Sequence, residues 1–267
     1  MIKAILFDTF GTIVDWRSSI SRDSRALALS KGLKDFDGDA FARAWRAGYA
    51  PSMARVTSGK EPFASIDFIH CKRLDEILPE FGLAMLDENE RNHLNKGWHP
   101  LDPWPDSLPG LIRIRFKFMI SPLSNGSLML LATMAKRAGL PWDFILSSDM
   151  HRAYKRDPAV YKSAIRLLNL EPEQVMMVAA HNDDLEAACR EGMRTAYINR
   201  PTEYGIDQKD DIAATSNWTF VADSVEDLAN QLDCPPNRLP KGNIQRATAQ
   251  PLGKLFSDSN DCQTKIF

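Results

Sequence analysis

The chain begins with an apolar run, Ala4-Ile5-Leu6-Phe7, that stops at a carboxylate in Asp8-Thr9-Phe10-Gly11-Thr12. A short apolar run bounded by turn residues predicts a strand buried on both faces, as in a parallel sheet. Beyond Asp15 the apolar spacing becomes helical, over 19–31, 37–54, 64–81 and 87–98, punctuated by Pro62 and Gly82. After Pro103 strands and helices alternate. Strands are expected over 116–124, 144–146, 175–179, 194–198 and 218–221, and helices over 107–115, 128–138, 159–168, 184–192 and 224–232. That alternation predicts an α/β fold, a doubly wound parallel sheet with helices on both faces, carrying a helical insert after its first strand. The expected division is 1–15 with 100–233 as the α/β core and 16–99 as the helical insert. Residues 234–267, with Pro235, Pro236, Pro240, Gly242 and Gly253 and no periodicity, are expected to be an irregular tail.

Composition narrows the class without naming a reaction. A formal net charge of −2 over 267 residues gives no basic field for nucleic acid. No apolar run approaches the ~18 residues of a membrane span. Cys71, Cys189, Cys234 and Cys262 form no C-x-x-C pair, which fits reduced thiols better than a disulfide framework. With no secretory signal in view, the expected location is the cytoplasm. His70, His93, His99 and His151 show no metal-ligand spacing.

The candidate chemistry collects where expected strands end. Ligands of such sheets bind outside the carboxyl ends of the strands, and Asp8 stands there, with Gly11 permitting a tight turn. Ser124-Asn125-Gly126 follows the second core strand, where a hydroxyl and backbone N–H groups suit an anion. Lys155, Tyr161, His181 and Asp184 follow later in the chain. Each has a plain alternative. Asp8 can cap a turn, Ser-Asn-Gly can start a helix, Lys155 can be solvated, and Asp183 reads as a helix N-cap.

Taken in order, Asp8-Thr9-Phe10-Gly11-Thr12, Leu123-Ser124-Asn125-Gly126, Lys155-Arg156-Asp157 with Tyr161, and Ala180-His181-Asn182-Asp183-Asp184 resemble the four motifs of the haloacid dehalogenase superfamily. Phe10 stands where the magnesium-dependent phosphatases of that superfamily carry a second aspartate, so the signature resembles its (S)-2-haloacid dehalogenase branch. The resemblance implies a Rossmann-like core, a cap formed by the insert, and metal-independent hydrolysis of short 2-haloalkanoic acids with inversion, through an aspartyl ester and with no cofactor. It implies Asp8 as nucleophile, Lys155 as its cationic partner, Asp184 as support for hydrolytic water, and Arg46 as halide site. Phe10, Thr12, Ser124, Asn125 and Tyr161 are implied as substrate-binding residues, and no residue as a metal ligand.

Two positions depart from the usual pattern. Arg156 replaces a proline, and Ala180-His181 replaces serine-asparagine, which makes His181 a candidate proton carrier for ester hydrolysis. The implied partner is a small haloacid, with neither nucleic acid nor membrane. A homodimer is also implied, with no residue marking its interface. A magnesium-dependent phosphatase and a non-catalytic binding protein on this scaffold stay open at this point. Trp16, Trp45, Tyr49, Phe63 and Trp98 are candidates for either core or pocket.

Overall fold

Alternation along the strands sets the architecture. In β1 (Ala4–Phe7), Ile5 and Phe7 join one buried cluster while Leu6 joins another. In β4 (Val175–Ala179), Met176 and Val178 face the first cluster, whereas Val175, Met177 and Ala179 face the second. A strand buried on both faces needs cover on both, and helices supply it. The computed structural model describes residues 1–236. Most of the expected irregular tail, with Cys262, lies outside the described residues.

Six helices separate β1 from β2 (Met119–Ser124), the first five being α1 (Trp16–Ser30), α2 (Gly38–Ala47), α3 (Tyr49–Thr57), α4 (Ile66–Ile77) and α5 (Glu88–Asn95). A 3₁₀ turn at Lys96–Trp98 follows α5, and α6 (Ser107–Arg115) leads into β2. After β2 come α7 (Leu128–Ala138), β3 (Leu146–Ser147), α8 (Ser148–His151), α9 (Pro158–Leu168), a 3₁₀ turn at Pro172–Gln174, and β4. The described chain closes with α10 (Asn182–Arg190), β5 (Arg194–Ile198), β6 (Phe220–Ala222) and α11 (Val225–Gln231). The strands form one parallel sheet in the order β3-β2-β1-β4-β5-β6. Phe7 pairs in register with Pro122 on one side and Val178 on the other. The ends of β1, β2 and β4 therefore come together along one edge.

The elements differ from the sequence reading where local chemistry intervenes. The helix expected over 37–54 is two helices broken at Gly48. Pro51 lacks the N–H that would continue the ladder, and a Cβ on Gly48 would lie 2.4 Å from Arg73 Cδ. The strand expected from residue 116 starts at Met119, because Phe116 and Lys117 donate backward to Arg113 and Ile114 and finish α6. The strand expected over 144–146 is Leu146–Ser147, followed by the unforeseen turn of α8. The last strand starts at Phe220, since Trp218 instead donates its indole N–H to Asn182. Asp183 is not the N-cap of α10. It lies in the first turn and pairs with Arg156, while Asp211 accepts from the Asn182 N–H at 2.9 Å.

Candidate active site

Asp8 follows the last residue of β1, tied to the sheet by its N–H to Val178 (2.9 Å). Gly11 then takes φ +85°, a region that favours glycine, and the turn brings Thr12 back so that its hydroxyl donates to Asp8 Oδ2 (2.8 Å). The same hydroxyl accepts the Ala180 N–H (2.9 Å), joining the ends of β1 and β4. Lys155 arrives from the turn before α9, where Asp157 caps the helix and Pro158 starts it. Its backbone N–H donates to Asn125 Oδ1 (2.7 Å), so the turn after β2 fixes its position. Arg156 sits at φ +41°, a conformation closed to proline.

Lys155 Nζ lies 2.5 Å from Asp8 Oδ1 and 2.7 Å from Asp184 Oδ2, with the Lys155 side chain only 7% exposed. Tyr161 donates its hydroxyl to Asp184 Oδ1 (2.6 Å). On the other side of Asp8 stands His181, with Nδ1 3.3 Å from Asp8 Oδ2 and Nε2 2.9 Å from Glu203 Oε2. Glu203 also accepts from the Trp16 indole N–H (2.8 Å).

Three carboxylates, Asp8, Asp184 and Glu203, thus share the site with Lys155, His181 and Arg46. Burial opposes ionisation of Asp8, but Lys155 and His181 outweigh it and hold its carboxyl well below the usual range. Burial raises the Asp184 carboxyl, with the Asp8 charge adding to it against the opposing pull of Lys155. Burial disfavours the Lys155 and His181 cations, yet their carboxylate partners push both groups above their ordinary values. Asp8 is therefore an ionised carboxylate held between two cations.

These groups open on a cavity of about 380 Å³ between the strand ends and helices α2 and α3. Of the residues expected from sequence, Asp8, Phe10, Arg46, Asn125, Lys155, His181 and Asp184 line it. Thr12, Ser124 and Tyr161 do not. Thr12 and Tyr161 support Asp8 and Asp184 from behind, and Ser124 Oγ accepts the Gly126 N–H within its own turn. Asn125 faces the cavity with its Nδ2 against Met53 Sδ.

Arg46 spreads over Tyr49, its Cζ 3.9 Å from the ring centroid, with Trp16 and Phe10 within 6 Å. Its Nη1 is buried without a hydrogen-bond partner, a cationic donor left for a ligand. Trp16, Trp45 and Trp98 are core, Phe63 packs on Tyr154, and Tyr49 lines the cavity. Among the described residues no group of three or more His, Cys, Asp or Glu could hold a metal ion, and no helix is long and apolar enough to cross a membrane.

Sequence reasoning missed Tyr204, Arg43 and Glu203, and left Tyr49 open between core and pocket. Tyr204 and Glu203 follow β5, so the rule that ligands gather at carboxyl strand ends was the one available signal. Tyr49 and Arg43 lie in ordinary helical patterns, which carry no such mark.

Residues 2–190 match the family model for haloacid dehalogenase-like hydrolases. The solved structure of a defluorinating L-2-haloacid dehalogenase is 47% identical, with a TM-score of 0.84 over 87% of this chain and 96% of that one. A second L-2-haloacid dehalogenase structure is 43% identical, also at 0.84, covering 87% of this chain and 99% of its own. The (S)-2-haloacid dehalogenase 1 of Pseudomonas sp. strain CBS-3 is 29% identical over 215 residues, 77% of this chain and 89% of that protein.

Proposed function

The chain belongs to the haloacid dehalogenase-like hydrolases, and from that premise we propose that it hydrolyses short 2-haloalkanoic acids to 2-hydroxy acids by attack of Asp8 on carbon. The observation that carries the reading is the paired state of Asp8. A carboxylate kept ionised by Lys155 and His181 at the wall of a cavity is a nucleophile and not a general acid.

One Asp8 oxygen attacks C2 in line with the carbon–halogen bond, which breaks as the aspartyl ester forms. The departing halide is taken by Arg46, whose Nη1 donor is unpartnered and surrounded by aromatic faces. The turn 124–126, presenting Asn125, receives the substrate carboxylate. Water then attacks the Asp8 carbonyl, supported by the Lys155–Asp184 pair, and releases the hydroxy acid. Displacement inverts C2 and acyl hydrolysis leaves it untouched, so the product has inverted configuration. Helices α1–α5 act as a cap in this reading, supplying Arg43, Arg46, Tyr49 and Met53 to the cavity.

Halide release from each enantiomer of 2-chloropropionate, with chelator present, tests the proposal. Wild type releases chloride from the S-form and yields R-lactate, while Asp8→Asn releases none. Magnesium-dependent phosphate release from a phosphomonoester, with no halide from either enantiomer, would replace it with the phosphatase reading.

A further inference from the structure

Glu203 is a buried carboxylate that the two-step scheme leaves without a task. It is 1% exposed and does not line the cavity. A buried carboxylate is costly unless it is paired and hydrogen-bonded, so its partners define what it is for. Oε1 takes the Trp16 indole N–H, and Oε2 stands 2.9 Å from His181 Nε2. Its backbone carbonyl accepts from Arg17 Nε (3.2 Å), anchoring the loop to α1. The carboxylate also fills the space beside Gly11, where an added Cβ would lie 2.1 Å from Oε1. The glycine of the first motif is thus the seat of this carboxylate as well as a turn residue.

An indole nitrogen can only donate, so Glu203 accepts there and accepts again from His181. That second bond keeps the proton on Nε2 and turns Nδ1 towards Asp8. We propose that Glu203 is a positioning residue for hydrolysis of the aspartyl ester, acting by holding His181 with Nδ1 free to exchange the proton of the attacking water. The proposal rests on the dehalogenase reading and adds to it the step that the Ala180-His181 departure left open.

The proton count closes. In the free protein His181 lies between two carboxylates and carries both ring protons. Alkylation of Asp8 removes one of the two charges, and Nδ1 releases its proton through the cavity. Water then bonds to the Asp8 carbonyl carbon as Nδ1 takes its proton. The tetrahedral adduct breaks its bond to the substrate oxygen, which leaves as alkoxide and receives the proton from Nδ1. The regenerated Asp8 carboxyl returns its proton to Nδ1. One halide and one proton leave per turnover. Other groups that bear on the ring are Lys155 and Asp184 beyond Asp8, Tyr204 beside Glu203, Tyr197 of β5, and Arg46 acting through Glu203 and Tyr204.

The test is stopped-flow halide release from S-2-chloropropionate, with mass analysis of the Asp8 peptide, for wild type, Glu203→Gln, His181→Asn and the double variant. Both single variants should keep a halide burst of one equivalent, lose on the order of 100-fold in kcat, and accumulate alkylated Asp8. The double variant should fall no further than His181→Asn alone, because Glu203 works through that ring. Turnover of Glu203→Gln near the wild-type rate, or additive losses in the double variant, overturns the proposal. If wild type itself releases no halide, the dehalogenase reading falls and this inference with it. Should Glu203→Gln fail to fold, ¹⁵N-histidine NMR of wild type decides: Nε2 of His181 must carry a proton in the free protein, and a bare Nε2 overturns the assignment.

Discussion

At the scale of single residues, His70 and His181 have opposite environments and predict opposite pH effects. His70 packs on the Trp98 ring at 4.2 Å with both nitrogens unpartnered, and burial pushes it down to about 3. The unfolded chain therefore binds a proton that the folded chain refuses, and stability falls as pH drops below about 6.5, at up to about 1.4 kcal/mol per pH unit. His181 is raised by Glu203 and Asp8, so its contribution is complete below about pH 6.5 and is lost as pH rises through its folded value. Stability should peak near pH 6.5. Denaturant unfolding across pH should show His70→Phe flattening the acid limb and His181→Asn flattening the alkaline limb.

Legibility at this scale followed motif spacing. Asp8, His181 and Asp184 were readable because each follows a strand end with turn residues around it, and Lys155 because its motif stands in order between theirs. Glu203 was not, because its Trp16 partner is 187 positions away and no local pattern links them. Ser124, Thr12 and Tyr161 were legible as members of the site, but whether a side chain touches the cavity or supports a neighbour depends on packing that spacing does not encode.

Elements with clear punctuation were read to the residue. α7 ends where Gly139 takes φ +67°, and α6, β4 and β5 have the expected bounds. The break between α2 and α3 was missed because the apolar spacing runs through Gly48, and the long-range contact with Arg73 is invisible locally. Contact between α6 and α11 is equally non-local, and here it yields a prediction. A Cβ on Gly110 would lie 2.6 Å from the backbone carbon of Val225, which cannot yield as a flexible side chain would. Gly110→Ala should lose about 1–3 kcal/mol in denaturant unfolding while the kcat of the folded fraction stays at the wild-type value.

For the molecule as a whole, alternation of strands and helices was enough to announce a doubly wound sheet, and the order β3-β2-β1-β4-β5-β6 follows that design. Its consequence is functional. β1 lies between β2 and β4, so three separate motifs converge on Asp8, while the long excursion after β1 returns α2 and α3 over the opening. The α2–α3 side of the cavity was the least legible part, since its residues sit in regular helices and only the resemblance marked Arg46. Arg46→Lys should test that side. Lysine keeps the charge but loses the planar face on Tyr49, so kcat/KM for S-2-chloropropionate should fall at least about 10-fold with the fold intact by circular dichroism.

The central claim is that Asp8 bonds covalently to substrate carbon and that water attacks the resulting ester. A single turnover in oxygen-18 water, with protein in excess over S-2-chloropropionate, tests it most directly by mass analysis of the hydroxy acid and of the peptide carrying Asp8. The account predicts one labelled oxygen in Asp8 and an unlabelled hydroxy acid. Label in the product with none in Asp8 would mean that water attacks carbon directly, and would contradict it.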